Sequence, residues 1–219
     1  MTELAPLFDL RLRTPRLELR LPTHDELVEL RELARAGVHP PELMPFFYAW
    51  TDEPYSEEWV VAFHEAARSA WSPDRWNLML GAWSEEGLIG SQGAEAARWL
   101  ETRTAETGSW LGRRFQGRGY GTEMRAAMVE LLWALGGEAV TSGALEGNEA
   151  SARVSEKLGY RVVGTAEAAP RGTPVTSTLF RLERGDWQAP VPVEIENLGP
   201  VRPLFGRPER GVYRPRIVS

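Results

Sequence analysis

The first half of the chain alternates between a strand-like and a helix-like spacing of apolar positions. Over residues 14–21 apolar and charged side chains alternate with a period of two, which predicts a half-exposed strand. Thr23 and Glu26 then have the spacing of a capping box, and the apolar residues that follow recur at helical intervals as far as Gly37. The pattern therefore predicts a strand followed by an amphipathic helix.

A loop and a second helix come next. Residues 38–55 contain four prolines and a cluster of aromatic side chains, so they predict a loop that is too apolar to lie fully in water. Ser56 is followed by two glutamates, which makes it a favourable N-cap, and the helix is predicted to reach about residue 71. Two helices are thus expected before most of the sheet.

The second half of the chain predicts the rest of the sheet and one long helix. Residues 76–83 and 88–95 flank a polar turn and predict a hairpin. Apolar residues at helical spacing over residues 124–135, followed by Gly136, predict an amphipathic helix. Further strands are expected over residues 106–111, 139–145, 160–164 and 176–182, and a short helix over residues 151–158.

The last segment is rich in proline. Six prolines after Asp186 argue against regular structure, which predicts an extended tail that packs through Leu198, Leu204 and Phe205. We therefore expect one domain over residues 1–185, and a tail over residues 186–219 that packs on that domain or on a partner subunit.

Composition excludes several classes of function. The 219 residues suffice for one sizeable core, and no apolar run approaches the roughly 20 residues that cross a bilayer. The absence of cysteine excludes a protein thiolate or a sulfur-ligated metal, and three histidines without a helical pair argue against a histidine-built metal site. A net charge of −6 argues against general nucleic-acid binding. The first residues lack the pattern of a signal peptide, so the expected location is the cytoplasm.

The candidate chemistry lies in residues 113–122, between a predicted strand and the long helix. Gly117, Gly119 and Gly121 let the backbone approach a ligand closely, and the amides of a helix start converge on one point where an anion is favoured. This arrangement predicts a pyrophosphate cradle. No Lys-Ser/Thr pair follows, as a Walker loop requires, and no acidic residue completes a dinucleotide fingerprint. A flexible entry into the helix is the alternative that the loop alone leaves open.

Two motifs make the resemblance to a family specific. Residues 116–122, Gln-Gly-Arg-Gly-Tyr-Gly-Thr, match the Q/R-x-x-G-x-G/A motif of the GNAT acyltransferases. Residues 108–111 resemble the preceding strand of RimJ/RimL-like members, and residues 148–160 resemble their N-x-x-S and E-K-L-G-F/Y segment. The resemblance implies a mixed α/β (α+β) GNAT fold, with a splayed, mainly antiparallel sheet flanked by helices and an extended Pro-rich tail.

The same resemblance implies acetyl-CoA or another acyl-CoA as co-substrate, and no metal. The amides of residues 117–122 would bind the pyrophosphate, and the backbone of Trp110 and Leu111 would pair with pantetheine like an added strand. The expected cofactor-binding residues are Trp110, Leu111, Gln116, Gly117, Arg118, Gly119, Tyr120, Gly121, Thr122, Asn148 and Ser151. A helix cap is an equal alternative for Asn148, and a solvated surface charge for Arg118.

Two residues are the expected catalytic groups by resemblance. Ser155 stands where many GNAT enzymes have a tyrosine that protonates the departing CoA thiolate, although the high pKa of serine makes it a poor acid. A buried small residue for close packing is its alternative. Glu106 matches an acidic residue on the strand before the loop, and we expect it to act as the base that keeps the amine neutral. An exposed strand glutamate without a catalytic role is an equal alternative, and Glu101 is the nearest competitor for the base.

The loop over residues 38–55 is expected to form the wall of the acceptor site, because this region lies over the amine site in the family. The candidate substrate contacts are His39, Phe46, Tyr48 and Trp50, with Asp52 and Glu53 as further polar contacts. An acceptor with an apolar part beside its amine would fit this wall. The alternative is that these aromatic residues only fill the core beneath a long loop.

The expected function is direct N-acyl transfer, most simply N-acetyl transfer, to a small-molecule amine or a protein N-terminal amine. No nucleic acid or membrane partner is expected, and a homodimer is one option for the assembly. Three alternatives stay open: a non-catalytic acyl-CoA-binding or regulatory module, an acyltransferase with a larger donor such as succinyl-CoA, and a different nucleotide-binding protein.

Overall fold

The structure is a computed structural model that describes residues 2–52 and 56–206. Its strands are β1 (Arg11–Arg13), β2 (Glu18–Arg20), β3 (Trp76–Ser84), β4 (Gly87–Ala96), β5 (Thr104–Leu111), β6 (Ala139–Leu145), β7 (Arg161–Ala168), β8 (Val175–Glu183) and β9 (Glu194–Glu196). Its helices are α1 (His24–Arg35), α2 (Glu57–Ser69), α3 (Trp99–Thr102), α4 (Tyr120–Ala134), α5 (Glu149–Lys157) and α6 (Leu198–Val201).

The described residues form one nine-stranded sheet in the order β7-β8-β6-β5-β4-β3-β2-β1-β9. All neighbours are antiparallel except β5 and β6, which run parallel and pair only as far as Glu106 and Thr141. Beyond this point β5 continues along β4 to Leu111, whereas β6 continues along β8 to Leu145. The sheet therefore splits between β5 and β6, as a splayed and mainly antiparallel fold requires.

The predicted caps of the first two helices are confirmed. Thr23 accepts a hydrogen bond from the Glu26 backbone N–H, and the Glu26 side chain accepts one from the Thr23 N–H at 2.8 Å. Ser56 Oγ accepts from the Trp59 N–H at 3.1 Å. These bonds satisfy amide groups that have no partner inside a helix, so the local sequence determines where α1 and α2 begin.

The strand predicted over residues 14–21 is shorter in the structure. Pro15 lies in a turn that joins β1 to β2, and the Thr14 N–H donates to the Leu17 carbonyl across this turn at 2.9 Å. Only Glu18–Arg20 of the predicted strand joins the sheet. The turn has a consequence for the site, because it carries Arg16 to the start of α4.

The long helix α4 is buried on all sides, so the prediction of an amphipathic helix is wrong in that respect. Its apolar residues belong to the core, and its polar residues Glu123, Arg125 and Glu130 are buried as well. Glu123 accepts hydrogen bonds from Thr14 and Arg16, and Glu130 accepts one from the Trp187 indole at 2.7 Å. Such partners make the burial of carboxylates tolerable.

The segment after Asp186 is more ordered than its prolines predict. Strand β9 pairs with β1, and Ile195 lies opposite Leu12. Phe205 is fully buried, and the backbone carbonyls of Leu204 and Phe205 accept hydrogen bonds from the Trp71 and Trp99 indoles. The prediction that this segment lacks regular structure is therefore wrong for residues 194–205. Residues 207–219 of the predicted tail lie outside the described part of the chain.

Candidate active site

The start of α4 has the geometry of an anion site. Gly119 is the N-cap residue, with a left-handed backbone at φ 85°, and no side chain caps the first turn. Gly117 is also left-handed, at φ 74°. Glycine suits both positions because side chains with a Cβ adopt this conformation at a cost. The amides of Tyr120, Gly121 and Thr122 have no helical acceptor at this end, so they are available to bind a phosphate group.

Basic residues surround this cradle, but two of them are already engaged. Arg118 pairs with Glu86 on the β3–β4 turn, and its guanidinium also donates to the Tyr120 hydroxyl at 3.2 Å. Arg16 donates to Glu123 at 2.7 Å and to the Arg118 carbonyl at 3.1 Å, which fixes the cradle to the β1–β2 turn. The carboxylate partners reduce the charge that either arginine presents to a ligand.

Two exposed arginines next to the cradle are less engaged. Among the described residues, neither Arg113 nor Arg114 has a carboxylate within ion-pair distance, and the Arg114 guanidinium lies over the Phe115 ring at 4.6 Å. They are therefore the stronger candidates for contact with a phosphate. Gln116, a predicted cofactor contact, donates its amide nitrogen to the Val38 and Leu111 carbonyls at 2.6 and 2.9 Å. This side chain holds the loop in place, although Gln116 lines the cavity beside it.

Two cavities meet at the split in the sheet. One, of about 540 Å³, is lined by the cradle and by α5, and we call it the donor cavity. The other, of about 500 Å³, is lined by Glu106 on β5, by α2 and by the loop after α1, and we call it the acceptor cavity. Seven residues line both: Pro45, Phe46, Ser109, Trp110, Arg125, Asn148 and Ser151. A ligand in one cavity can therefore contact a ligand in the other.

The strand edge between these cavities is available for pairing except at its two ends, where the Thr107 hydroxyl donates to the Thr141 carbonyl at 3.1 Å and the Leu111 carbonyl accepts from Gln116 Nε2 at 2.9 Å. From Thr107 to Leu111, β5 pairs with β4 on one side and no longer pairs with β6 on the other. Trp110 and Leu111 lie on this stretch, and both line the donor cavity. An extended amide-containing chain could add to this edge like a strand.

Glu106 lies in the acceptor cavity directly opposite Glu95 of β4. Its carboxylate is open to the cavity, yet burial by the surrounding walls raises its pKa, and the like charge of Glu95 raises it further. Glu95 accepts a hydrogen bond from Asn77 at 3.2 Å. A carboxylate with a raised pKa is a suitable acceptor for a proton near neutral pH. Glu101, its competitor, is exposed on α3, where it pairs with Arg98.

Ser155 is fully buried and does not line either cavity. Its hydroxyl lies 2.9 Å from Ser142 Oγ, accepts a hydrogen bond from Arg125 Nη1 at 2.9 Å, and donates to the Ser151 carbonyl at 3.3 Å. The inward orientation that its helical position predicts is thus present. The geometry does not favour the second expectation, direct contact with a departing thiolate, because Ser155 lines neither cavity and its hydroxyl is bonded to Arg125, Ser142 and Ser151.

Asn148 and Ser151 lie together at the start of α5. Asn148 Oδ1 accepts from the Ser151 N–H at 3.2 Å, which is the predicted helix cap, and Asn148 Nδ2 donates to the Pro45 carbonyl at 3.1 Å. The second bond ties α5 to the loop after α1. Both residues line both cavities, so a role in ligand contact is compatible with the cap.

The loop after α1 contributes a cluster of aromatic rings that pack at tilted angles. Phe46 lies 4.9 Å from Trp50, and Trp50 lies 5.7 Å from Trp110, measured between ring centroids. Phe46, Tyr48 and Trp50 line the acceptor cavity, and Tyr48 is 64% exposed at its rim. Exposure at a cavity rim is what a substrate contact requires, whereas a residue that only fills the core would be covered.

The polar candidates of this loop are placed differently. His39 lines the donor cavity instead of the acceptor cavity, and its imidazole bridges the Pro40 carbonyl at 2.8 Å and Thr51 Oγ1 at 2.7 Å. Asp52 forms a bidentate pair with Arg171, which ties the loop to the β7–β8 connection. Glu53 lies outside the described residues. The structure therefore does not bring His39 or Asp52 into the acceptor cavity.

Three residues that line the cavities are not predicted as site residues from the sequence. Arg125 and Ser109 line both cavities, and His64 on α2 lines the acceptor cavity. Burial lowers the pKa of His64 to about 4, so its imidazole is neutral near neutral pH. The sequence indicates the burial of Arg125 only weakly, because an arginine between the apolar positions of a helix is ordinarily expected on the exposed face. Among the described residues, no cluster of three metal-ligating side chains occurs, and no helix has the length and apolarity to span a membrane.

Comparison with known proteins identifies the family and the fold. Residues 16–161 match the family of acetyltransferase (GNAT) domains. A solved structure described as a probable acetyltransferase has a TM-score of 0.67 and 20% identity, and the match covers 79% of this chain and 96% of the other. A Vibrio cholerae structure, described as that of a candidate ribosomal-protein-serine acetyltransferase, has a TM-score of 0.63 and 22% identity over 80% and 98% of the two chains.

A third structure contains a ligand. RimL, an α-N-protein acetyltransferase of ribosomal L7/L12 in complex with coenzyme A, has a TM-score of 0.63 and 16% identity over 78% and 95% of the two chains. At these identities the solved structures show a shared fold.

Proposed function

The chain belongs to the GNAT acetyltransferase domain family, and from this premise we propose that it transfers an acyl group from a CoA thioester to a primary amine. The observation that carries the proposal is the junction of the two cavities. The donor cavity begins at the phosphate cradle, the acceptor cavity contains Glu106, and the two share a boundary at the split in the sheet. Direct transfer needs this arrangement, because both reactants must be held in contact.

The donor is acetyl-CoA or another acyl-CoA. The amides at the start of α4 would bind the pyrophosphate, Arg113 and Arg114 would meet the outer phosphates, and the free edge of β5 would pair with the pantetheine amides. An acyl-CoA supplies the activated thioester and the leaving group. The coenzyme A bound by RimL, a structure of the same fold, supports this choice.

The acceptor is an amine that carries an apolar part. Glu106 would take the proton that the amine loses, since its raised pKa brings it closer to the working pH. The rings of Phe46, Tyr48 and Trp50 supply an apolar wall next to it. The fold shared with RimL supports membership of the RimJ/RimL-like subgroup, and it makes a protein N-terminal amine as suitable a candidate as a small molecule.

Release of free CoA tests the proposal with little background. Because the chain has no cysteine, a thiol reagent detects only the CoA that is released. We expect release that depends on added amine, with a panel that includes an arylalkylamine, a polar amine and peptides with a free N-terminus. Mass spectrometry should find the acyl group on the amine.

One observation favours a second function, a non-catalytic acyl-CoA-binding module. Ser155 replaces the tyrosine of the resemblance and is buried away from the cavities. Binding of acyl-CoA, together with a release rate equal to amine-free hydrolysis across the whole panel, would establish the module and refute the transferase.

A further inference from the structure

Arg125 on α4 is a buried cation with hydroxyl partners. Only 3% of its surface is exposed. Its guanidinium donates to Ser155 Oγ at 2.9 Å, and the hydroxyls of Ser151 and Ser109 lie at 3.4 and 3.5 Å. Its Nε has no hydrogen-bond partner. The bonding capacity of the guanidinium is therefore not fully used.

The charge of Arg125 is not balanced by a carboxylate. Within the described part of the chain, no acidic side chain lies at ion-pair distance from it. The titratable group next to it is Tyr160, and burial raises the pKa of that hydroxyl, so it is uncharged near neutral pH. By contrast, Arg16 and Arg20 each pair with a glutamate. Burial lowers the pKa of Arg125, but a guanidinium starts from so high a value that it stays charged near neutral pH. A buried charge without a counter-charge is costly, so its position calls for an anion.

The position of Arg125 indicates which anion. Among the described residues that line both cavities, Arg125 is the charged one. In the proposed reaction the donor thioester must lie at this junction, because the acyl carbon has to meet the amine there. The negative charge that appears at the junction during transfer comes to rest on the CoA sulfur.

We propose that Arg125 stabilises the leaving thiolate of CoA, and that the hydroxyl of Ser155 positions the guanidinium. The inference rests on the proposed function. The amine nitrogen forms a bond to the acyl carbon, the carbon–sulfur bond breaks, and its electron pair stays on the sulfur. The amine proton passes to Glu106, whereas Arg125 keeps its protons and pairs with the thiolate until solvent protonates it. Electrostatic stabilisation thus takes the place of a tyrosine acid.

The test measures the thiol of bound CoA and needs no turnover. Thiolate absorbance of the complex with CoA is titrated against pH, and the reference is the complex with S-methyl-CoA, so that ionisation of Tyr160 and other protein groups cancels. A cation next to the sulfur should lower the thiol pKa by about one to three relative to free CoA. A wild-type complex in which the thiol titrates like free CoA would overturn the proposal.

Variants separate the charge from the packing. Arg125→Met should return the thiol pKa towards that of free CoA and lower kcat by about 10²–10³, whereas Arg125→Lys should retain part of both effects. Ser155→Ala should raise the thiol pKa less than Arg125→Met does. Calorimetry with S-methyl-CoA checks that the cradle still binds, and the wild-type titration decides the matter even if Arg125→Met does not fold.

Two outcomes distinguish stabilisation of the thiolate by Arg125 from a role in binding the acyl group and from the proposed function itself. If Arg125→Met loses activity with succinyl-CoA and keeps it with acetyl-CoA, Arg125 binds an acyl carboxylate and the inference is wrong. If the bound thiol has a lowered pKa but no amine is acylated, the proposed function fails while the charge at the sulfur stands.

Discussion

At the scale of single residues, the backbone of Gly119 permits a phosphate group to approach the start of α4. Its left-handed φ of 85° resembles the 79° of Gly172, which lies in the β7–β8 connection. Valine at either position carries a similar backbone strain of about 1–2 kcal/mol. An added Cβ at Gly172 meets nothing within 4 Å, whereas one at Gly119 lies at the cradle, 3.3 Å from Arg16 Nη2.

We therefore expect Gly119→Val to weaken acetyl-CoA binding at least about tenfold, and Gly172→Val to lower the melting temperature alone. Isothermal titration calorimetry on the two variants measures the difference. Equal affinities in both would mean that the cradle does not bind the donor.

The pair of Glu106 and Glu95 predicts a pH dependence with a definite sign. A general base works when it is deprotonated, so kcat/KM should rise with pH through the raised pKa of Glu106. Removing the like charge with Glu95→Gln lowers that pKa and should move the rise to lower pH. Glu106→Gln should remove the rise and lower kcat by about 10²–10⁴.

Glu101→Gln serves as the matched control for this prediction, because Glu101 is exposed on α3 and pairs with Arg98. It should leave the pH profile unchanged. A profile that moves with Glu101→Gln and stays fixed with Glu95→Gln would show that Glu101 on α3, and not Glu106 on β5, is the base.

The residues of the site differ in how well the neighbouring sequence predicts their structural role. The glycines of the cradle and the cap by Asn148 follow from local rules, because turns and helix ends depend on neighbours in the chain. Arg125 does not, since its burial depends on serines that are up to 30 residues away in the sequence. The position of His39 in the loop predicts a contact on the acceptor side, whereas its hydrogen bonds hold it beside the donor cavity.

At the scale of elements, the loop after α1 combines an anchored base with an exposed rim. Phe46 and Trp50 pack in an aromatic cluster that includes Trp110, while Tyr48 is 64% exposed. Tyr48→Ala should therefore raise the acceptor KM several-fold, by about 1 kcal/mol of lost apolar contact, with the acyl-CoA KM and the melting temperature nearly intact.

Phe8 is a suitable control for this variant, because it is 43% exposed and lines neither cavity. Steady-state kinetics on Tyr48→Ala and Phe8→Ala measure the two effects. A clear fall in melting temperature with unaltered acceptor kinetics would assign Tyr48 to packing and not to the acceptor wall.

The segment after β8 stabilises the domain through Phe205. Its ring lies 4.9 Å from Trp76 and 5.2 Å from Trp71, and it is fully buried. Phe205→Ala should lower the free energy of unfolding by about 3–5 kcal/mol, and Phe205→Leu by clearly less, as measured by denaturant titration. A loss below about 1 kcal/mol for Phe205→Ala would show that this segment is not part of the stable core.

Helices and strands whose ends are encoded by neighbouring residues are predicted well, whereas those that depend on distant partners are not. The capped helices α1 and α2 and the β3–β4 hairpin are predicted well, because their ends are encoded within a few residues. Strand β9 is not predicted from the sequence, because its partner β1 lies about 180 residues earlier in the chain. The turn at Pro15, by contrast, is closed locally, because the Thr14 N–H donates to the Leu17 carbonyl and proline suits the second position of such a turn.

At the scale of the whole molecule, the split between β5 and β6 gives the two cavities a common boundary. The parallel pairing of these strands ends at Glu106, and the cradle, the free edge of β5 and Arg125 all lie around the gap that follows. Sequence motifs indicate the cradle, but the gap arises from the register of two strands that a helix of 15 residues separates. Only the assembled sheet brings donor and acceptor sites together.

A thermal-shift comparison of acetyl-CoA, ATP and NAD tests most directly whether the cradle is an acyl-CoA site. A ligand at about 100 times its Kd stabilises the folded chain by about 2.7 kcal/mol, which for a chain of this size raises the melting temperature by about 5–10 °C. We expect this rise with acetyl-CoA, and no comparable rise with ATP or NAD. A rise with ATP or NAD and none with acetyl-CoA or succinyl-CoA would contradict the assignment.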